Sequence, residues 1–453
     1  MHVRPLFTPL SLVIVLAQAL LVHGDEGTNW PKFRGPNSDG VVEVGLLPIS
    51  WDASHNVRWR VDISGRGWSS PVVWGDRVYL TTVVGLGDGE EPKKGLYIGG
   101  NRSNPPADLH QWRVLCLDLN TGQTLWDYLA HEAPPATSIH LKNSFASETP
   151  VVDDQRLYAY FGNLGIFCLS HEGKLLWDMP VEPRQMRFGW GTAASPALHD
   201  GVLYIVNDNE EASTMMAIDA ATGDANWTID RDEPSNWATP FVWVNDQRTE
   251  IVTSGRKLVR SYDLSGELLW QLGGNSSITI PTPFATDGLL YVTSGYVSDR
   301  SKPVYAIQPG AAGDITLAEG ETANEDVVWS QAKAGPYNTS PLVYEGRLYV
   351  LLDRGFLACY DAATGEKIYD RQRLPEGRAF TASPWAHDGH IFCLNEYGTT
   401  YVIKAGPEFE IMHTNTLDAD AMCMATPAMA GDSLLIRTAT RLYCLQNGAT
   451  LEE

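Results

Sequence analysis

Residues 338–369 read Asn-Thr-Ser-Pro-Leu-Val-Tyr-Glu-Gly-Arg-Leu-Tyr-Val-Leu-Leu-Asp-Arg-Gly-Phe-Leu-Ala-Cys-Tyr-Asp-Ala-Ala-Thr-Gly-Glu-Lys-Ile-Tyr, and most of the chain consists of imperfect copies of this stretch. Three short apolar runs are separated by turn signals at Glu345-Gly346, Asp353-Arg354-Gly355 and Ala363-Thr364-Gly365. This spacing is typical of short antiparallel strands, and a fourth strand is expected after the last glycine. Because one small sheet cannot bury its own faces, the copies must stack, which predicts an all-β propeller.

Each copy begins with a Ser-Pro or Thr-Pro pair, and proline is tolerated at the first residue of a strand. The intervals between these prolines are 43–46 residues, except for 79 residues in the first repeat and 58 in the fifth, which indicate insertions. The count predicts eight blades of four antiparallel strands. The eight prolines are Pro71, Pro150, Pro196, Pro240, Pro283, Pro341, Pro384 and Pro427.

A second signature lies near the end of several repeats. Residues 116–126 read Cys-Leu-Asp-Leu-Asn-Thr-Gly-Gln-Thr-Leu-Trp, residues 217–227 repeat the pattern, and residues 359–369 end in Tyr instead of Trp. Shorter versions end at Trp177 and Trp270. The glycine suits the turn between the third and fourth strands, and the tryptophan offers a large area to bury against the next blade. We therefore interpret this signature as structural.

On these motifs, roughly residues 55–446 resemble the pyrroloquinoline-quinone-repeat propellers, whose tryptophan-docking motif runs Ala-x-Asp-x-x-Thr-Gly-x-x-x-Trp. The resemblance implies a fold of the quinoprotein alcohol dehydrogenase type. It leaves the activity open, because the superfamily contains quinone-dependent alcohol dehydrogenases and also non-catalytic members. One of these is the lipoprotein of the outer-membrane barrel-assembly machinery.

The two ends of the repeat region complement each other. Residues 56–63 look like a fourth strand without its first three, whereas the last repeat stops after residues 443–448 without an outer strand. Joining the two completes the eighth blade and removes an open sheet edge. The predicted propeller therefore covers residues 55–448, preceded by a turn-rich segment at residues 25–54 that wraps the surface and followed by a tail at residues 449–453.

The first 24 residues have the order expected of a secretory signal peptide: Arg4, an apolar run from Leu10 to Val22, and Gly24 before acidic residues. The run is too short to span a bilayer. The sequence therefore predicts export to the periplasm or the extracellular space, with a mature N-terminus near Asp25. No transmembrane segment is expected in the mature chain.

Charge and cysteine content narrow the function classes. The formal net charge of −22 disfavours nucleic acid and anionic lipid as partners. We expect a monomer whose partner is a protein or a small molecule such as a glycan. Four of the six cysteines occupy the small-residue position that opens the docking motif, so we expect buried thiols without disulfides. Those four are Cys116, Cys168, Cys359 and Cys444.

The two faces of the predicted ring differ in chemistry. Links between first and second strands are short turns such as Asp200-Gly201, whereas the connectors that enter each first strand carry Arg, Asn and aromatic residues. These connectors are expected to converge on the central funnel. A concave surface lined by aromatic and a few polar side chains is the usual ligand site. The candidate binding residues are Arg66, Trp68, Asn143, Arg187, Trp190, Trp237, Tyr337, Asn338, Arg378 and Phe380. An alternative is that their aromatic rings plug the channel and pack between blades.

Catalytic signatures are largely missing from the sequence, and no catalytic residue is predicted. The resemblance implies that a catalytic member would hold pyrroloquinoline quinone between a tryptophan and two adjacent cysteines, with calcium alongside, but no adjacent cysteines occur. Neither a cofactor nor a metal is therefore expected. Asp208, Glu210 and Glu211 form an acidic loop that could offer oxygen ligands to a hard cation, but the loop lacks a defined ligand spacing and a solvated acidic loop is the favoured interpretation.

The sequence leaves three hypotheses for the function of this protein. The first is an exported, non-catalytic binding or scaffold module that works through its funnel face. The second is a quinone-dependent oxidoreductase with Trp190 or Trp237 as the stacking base and the acidic loop as a calcium site. The third is an envelope assembly factor like the lipoprotein relative.

Overall fold

The structure is a computed structural model that describes residues 28–43, 45–87, 91–95, 99–101, 104–377, 379–418 and 422–451. The expected signal peptide and Arg378 lie outside the described residues. Within them the chain forms strands and a single 3-10 turn, arranged as eight sheets of four antiparallel strands, two of which carry an added strand. The prediction of an eight-bladed all-β propeller is confirmed.

The strands before and within the first four blades follow the repeat order. The first two are β1 (Val41–Val42) and β2 (His55–Asp62). Blade 1 consists of β3 (Val72–Trp74), β4 (Arg77–Gly85), β5 (His110–Asp118) and β6 (Thr124–Ala133). Blade 2 consists of β7 (Val151–Val152), β8 (Arg156–Phe161), β9 (Gly165–Ser170) and β10 (Leu175–Pro180), and the 3-10 turn Arg187–Gly189 follows it. Blade 3 consists of β11 (Ala197–His199), β12 (Val202–Asn207), β13 (Ser213–Asp219) and β14 (Ala225–Arg231). Blade 4 consists of β15 (Phe241–Val244), β16 (Thr249–Ser254), β17 (Leu258–Tyr262) and β18 (Leu268–Gly273).

The remaining blades complete the ring. Blade 5 consists of β19 (Phe284–Thr286), β20 (Leu289–Thr293), β21 (Val304–Ile307) and β23 (Val327–Gln331), with β22 (Gly313–Asp314) inside its insertion. Blade 6 consists of β24 (Leu342–Tyr344), β25 (Arg347–Leu352), β26 (Phe356–Asp361) and β27 (Lys367–Arg373). Blade 7 consists of β28 (Trp385–His387), β29 (His390–Leu394), β30 (Thr399–Lys404) and β31 (Ile411–Thr416). Blade 8 consists of β32 (Ala428–Ala430), β33 (Ser433–Arg437), β34 (Arg441–Thr450) and the early strand β2.

The docking tryptophans join neighbouring blades as the sequence predicted. The Trp126 indole N–H donates to the carbonyl of His171 at 2.8 Å, and that of Trp177 donates to Ala220 at 3.1 Å. A Cβ atom added at Gly173 or Gly223 would lie 2.6–2.7 Å from those rings, so only glycine lets the next blade approach. Trp270 is an exception, because its N–H bonds to the Glu250 carboxylate in its own blade. The apolar core consequently runs between blades, as in the cluster that joins Tyr79 with Leu157.

A belt of hydroxyl groups lines the inner strands. The Ser or Thr before six of the eight marker prolines accepts a hydrogen bond from the backbone N–H of its counterpart in the preceding blade. Thr149 N–H donates to Ser195 Oγ at 2.9 Å, and Ser195 N–H donates to Thr239 Oγ1 at 3.0 Å. The same bond links Ser70 to Thr149, Thr282 to Ser340, Ser340 to Ser383 and Ser383 to Thr426.

The N-terminal segment, residues 28–54, does more than wrap the surface. It crosses the face that carries the first-to-second-strand turns, which we call the turn face. Trp30 bridges to Val73 of blade 1, and the Arg34 guanidinium donates to the carbonyl of Pro341 in blade 6. Both side chains are buried, and β1 adds in parallel to the first strand of blade 7. The segment therefore ties blade 1 to blades 6 and 7, which are not its neighbours in the ring.

Ring closure and the thiols also match the predictions. Strand β2 pairs antiparallel with β34, with Trp59 opposite Cys444, so an N-terminal strand completes the eighth blade. All six cysteines are free and buried. The insertion in the fifth repeat provides a feature that the sequence did not suggest, because β22 pairs in parallel with the outer strand of blade 4.

Candidate functional site

The face opposite the turn face, which we call the funnel face, carries the inter-blade connectors. An aromatic patch on it consists of Phe188, Trp190, Trp237, Tyr296 and Tyr337. The Trp190 and Trp237 rings lie 5.7 Å apart, and the Tyr296 and Tyr337 rings meet edge to face at 5.3 Å. These residues surround a small core of Met186, Trp237 and Ile278. Connectors to several blades therefore meet here and bring Trp190, Trp237 and Tyr337 of the predicted set into one cluster, although Trp237 is buried.

Phe188 stands out within the patch, and the sequence analysis did not select it. Its backbone is left-handed, with φ 57° and ψ 16°, a conformation that costs a bulky residue about 1–3 kcal/mol. The ring is nevertheless 49% exposed, with the Arg187 guanidinium 4.8 Å above its centre. Arg187 is held by a bond from its N–H to Ser235 Oγ and by a bond from its guanidinium to the Ser277 carbonyl. The turn thus holds an apolar ring towards solvent.

Asn143 fixes the position of the Trp190 backbone. Its amide nitrogen donates to the carbonyls of Trp190 at 2.7 Å and Thr192 at 3.2 Å. The Trp190 indole N–H in turn donates to Asn101 Oδ1 at 2.7 Å. Asn143 therefore positions the aromatic patch instead of offering its own amide to a ligand.

Arg66 and Trp68 lie on another sector of the funnel face. Trp68 is buried, and its indole N–H donates to the carbonyl of Lys142 at 2.7 Å. The Lys142 ammonium pairs with Glu396 of blade 7 at 2.5 Å, and that carboxylate also accepts the backbone N–H of Gly95 at 2.8 Å. Arg66 pairs with Glu91 at 3.0 Å. The first-repeat insertion therefore reaches across the funnel to the seventh blade.

Tyr337 and Asn338 lie in the connector that enters blade 6, and a buried carboxylate holds their backbone in place. Their backbone N–H groups donate to the two oxygens of Asp353 at 2.9 and 2.8 Å. Burial raises the pKa of Asp353 to about 6, although these bonds oppose the shift. Phe380 is fully buried and lies 6.4 Å from the Tyr401 ring, so it packs inside the blade.

The acidic loop is organised around an ion pair. Both oxygens of Asp208 accept from the Arg231 guanidinium, at 2.7 and 2.9 Å, and both side chains are fully buried. Glu210 and Glu211 accept backbone N–H groups of Ser235 and Gln185. Among the described residues, no group of three His, Cys, Asp or Glu side chains is arranged to hold a metal ion.

Two buried glutamates near the funnel were missed at the sequence level. Glu148 lies two residues before a marker proline and accepts the Gly162 N–H at 3.2 Å. Complete burial raises its pKa to about 7. Glu396 holds the Lys142 and Gly95 contacts. For Glu148, the sequence offered one signal, a carboxylate among the small residues of a connector. For Glu396, no feature of the sequence pointed to a buried carboxylate.

The residues present do not fit pyrroloquinoline quinone. Trp190 and Trp237 pack on each other with a 40° angle between their rings, and the Trp237 indole N–H is bonded to the Gly191 carbonyl. No adjacent cysteines exist to form the opposite wall, and Asp208 is already neutralised by Arg231. The tryptophans that the oxidoreductase hypothesis needs as a stacking base pack on each other, and the Asp208 carboxylate that it needs for calcium pairs with Arg231.

Eight blades with docking tryptophans and this arrangement of connectors define a PQQ-like β-propeller. A family model described as outer membrane protein assembly factor BamB matches residues 43–228, 110–271 and 255–388, which together span more than half of the chain. The chain belongs to this family. No curated protein matches it.

The chain is similar to several solved structures at low sequence identity. The computationally designed Ika8 protein is 12% identical with a TM-score of 0.50, over 78% of this chain and all of that chain. A europium-containing methanol dehydrogenase is 11% identical with a TM-score of 0.47, over 93% of this chain and 98% of its own. BamB from Moraxella catarrhalis is 13% identical with a TM-score of 0.39, over 86% and 99%. In the part of the chain that the structure describes, no helix has the length and apolar character needed to cross a membrane.

Proposed function

We propose that this protein is an exported, non-catalytic binding module that docks a partner protein on the aromatic patch of its funnel face. The exposed Phe188 ring carries the proposal. A left-handed backbone is retained at a bulky residue only where surrounding contacts enforce it, and such strain clusters at binding sites. Here the Ser235 and Ser277 contacts of Arg187 enforce it.

The composition of the patch supports a protein partner. Aromatic and arginine side chains are enriched among the residues that dominate protein interfaces. Phe188 and Arg187 stack, and Trp190 lies 5.3 Å from Phe188, so one contiguous area offers both apolar surface and a cation. The proposed export rests on the signal-like residues 1–24.

The test is capture of partners from the native cell envelope by the purified protein. Phe188→Ala and Arg187→Ala should each reduce recovery of a specific partner at least tenfold, because a truncated hot-spot residue typically costs about 2 kcal/mol or more. Phe188 is half exposed, so its truncation should leave the melting temperature nearly unchanged.

Matched controls lie on the turn face. Asp200→Ala and Asp388→Ala change charged residues at the tips of first-to-second-strand turns, and both should capture partners normally. If the two funnel variants bind like the native chain while the turn variants lose binding, the working face has been assigned to the wrong side. If glycans or small molecules bind at the patch and no protein does, the partner class is wrong.

A second candidate is a role in envelope assembly, which the match to the BamB-type family model favours. The same capture experiment separates the two proposals. Outer-membrane barrel proteins or their assembly machinery among the specific partners would support the assembly role. Specific partners of another kind would support the broader binding role and contradict the assembly role.

A further inference from the structure

A cavity of about 250 Å³ lies beside the funnel, between blades 1 and 2, outside the aromatic patch. Three aromatic side chains, Trp112, Phe145 and Phe161, contribute to its walls, and three prolines of the neighbouring connectors narrow it. The Trp112 and Phe145 rings meet edge to face at 5.9 Å, and the His131 ring lies 5.7 Å from Trp112. The cavity is thus walled by flat apolar groups.

Several polar groups of the lining are already engaged in hydrogen bonds with each other or with neighbouring residues. The Asn163 amide donates to Thr137 Oγ1 at 2.7 Å and to the Arg184 carbonyl at 3.2 Å. The Ser144 hydroxyl bonds to the Ser147 hydroxyl at 2.9 Å. Strong polar recognition of a ligand would have to break these bonds, so contact with the rings must supply most of the affinity.

The lining also contains no Asp, Glu, Lys or Arg side chain. Glu148 lies behind it, bonded to the lining residues Gly162 and Thr192, and its burial disfavours the charged form. A carboxylate ligand would lose part of its hydration there, and the lining offers no Lys or Arg side chain to pair with it. Pockets for drug-sized molecules are typically about 300–1,000 Å³, so this one suits a one- or two-ring group.

From these observations we infer that the cavity between blades 1 and 2 is a binding site for an uncharged aromatic ring of about the size of indole. The ring could belong to a free small molecule or to an aromatic side chain of a bound polypeptide. The inference does not depend on the function proposed for the aromatic patch, because the two sites have different side chains.

The test uses ligand-observed NMR and calorimetry with three probes: indole, the anion indole-3-carboxylate, and N-acetyl-tryptophanamide. Indole should bind with a Kd of about 1 mM or tighter, within the range reached by efficient small ligands. Indole-3-carboxylate should bind at least tenfold more weakly. Comparable binding of N-acetyl-tryptophanamide would identify a side chain as the ring's source, whereas binding of indole alone would identify a free molecule.

Ala136→Trp provides the decisive variant, because Ala136 is an exposed residue of the lining and a large side chain there should occupy the cavity. It should weaken indole binding at least tenfold while the melting temperature stays within a few degrees. Ala323→Trp, at an exposed position in the fifth-repeat insertion, is the matched control and should bind normally. Indole binding unchanged by Ala136→Trp, or no indole binding to the native chain, would overturn the inference. A loss of binding in both tryptophan variants would also count against it.

Discussion

At the scale of single residues, Glu148 shows how burial inside the propeller makes the free energy of unfolding depend on pH. The carboxyl is completely buried, with the Gly162 N–H and the Thr192 hydroxyl as partners, and its pKa is raised from 4.5 to about 7. Between these two values the unfolded chain releases its proton while the folded chain keeps it. Stability from this group is therefore fully present below about pH 4.5 and is lost as the pH rises through about 7.

Glu148→Gln should remove that pH dependence, since the amide keeps the shape and hydrogen-bonding capacity without ionising. The stability advantage of the variant over the native chain should grow by up to about 3 kcal/mol between pH 4.5 and 7.5, because a shift of one pKa unit corresponds to about 1.4 kcal/mol. Melting temperatures measured across this range provide the comparison. A constant difference between the two proteins would contradict the prediction.

Glu396→Gln is an informative contrast. This side chain is also buried, but it pairs with Lys142 and accepts the Gly95 N–H. Removing its charge leaves the ammonium with the Gly95 carbonyl but without its counter-ion, so the variant should be less stable than the native chain at pH 7. The two substitutions should therefore shift the melting temperature in opposite directions at neutral pH.

At the scale of elements, the hydroxyl belt links consecutive inner strands through single hydrogen bonds. Ser195→Ala would leave the buried Thr149 N–H without its acceptor, at a cost of about 1–3 kcal/mol. Ser70→Ala is the matched control, because the Ser70 hydroxyl is buried and has no hydrogen-bond partner among the described residues. Calorimetry should give a lower melting temperature for Ser195→Ala than for Ser70→Ala. Equal melting temperatures would mean that the belt adds nothing to stability.

The belt also shows where sequence reasoning succeeded and where it stopped. The Ser/Thr-Pro pair marked every first strand correctly, because strand starts and tight turns depend on neighbouring residues. The partner of each hydroxyl lies a whole repeat away, so the interaction became visible only in the folded ring. The burial of Trp30 and Arg34 could not be predicted for the same reason, because it depends on distant blades. A turn-rich segment gives no local signal of which side chains will be buried. The left-handed backbone at Phe188 is likewise held by contacts that its neighbour Arg187 makes with the distant residues Ser235 and Ser277.

At the scale of the whole molecule, both ends of the ring are covered by extensions of the repeat pattern. The N-terminal segment crosses the turn face, where Arg34 is buried against the Phe284 ring at 5.1 Å. On the funnel face, Gly95 of the first-repeat insertion meets Glu396 of the seventh blade. The N-terminal segment and the first-repeat insertion therefore add contacts between parts of the ring that the repeat pattern alone does not connect.

The N-terminal segment and β2 also decide whether the ring is closed. A chain that begins at Ser64 would lack β2, which pairs along β34, and would lose the buried Trp30, Arg34 and Trp59 side chains. The open edge of β34 and the uncovered apolar surface should then drive association between molecules. We expect the shortened chain to form large aggregates in size-exclusion chromatography with light scattering, whereas a chain that begins at Asp25 stays monomeric. Adding a synthetic peptide of residues 28–63 during refolding should restore the monomer, because the peptide carries both the missing strand and the buried side chains. A shortened chain that is monomeric without the peptide, with an unchanged melting temperature, would show that closure by β2 is dispensable.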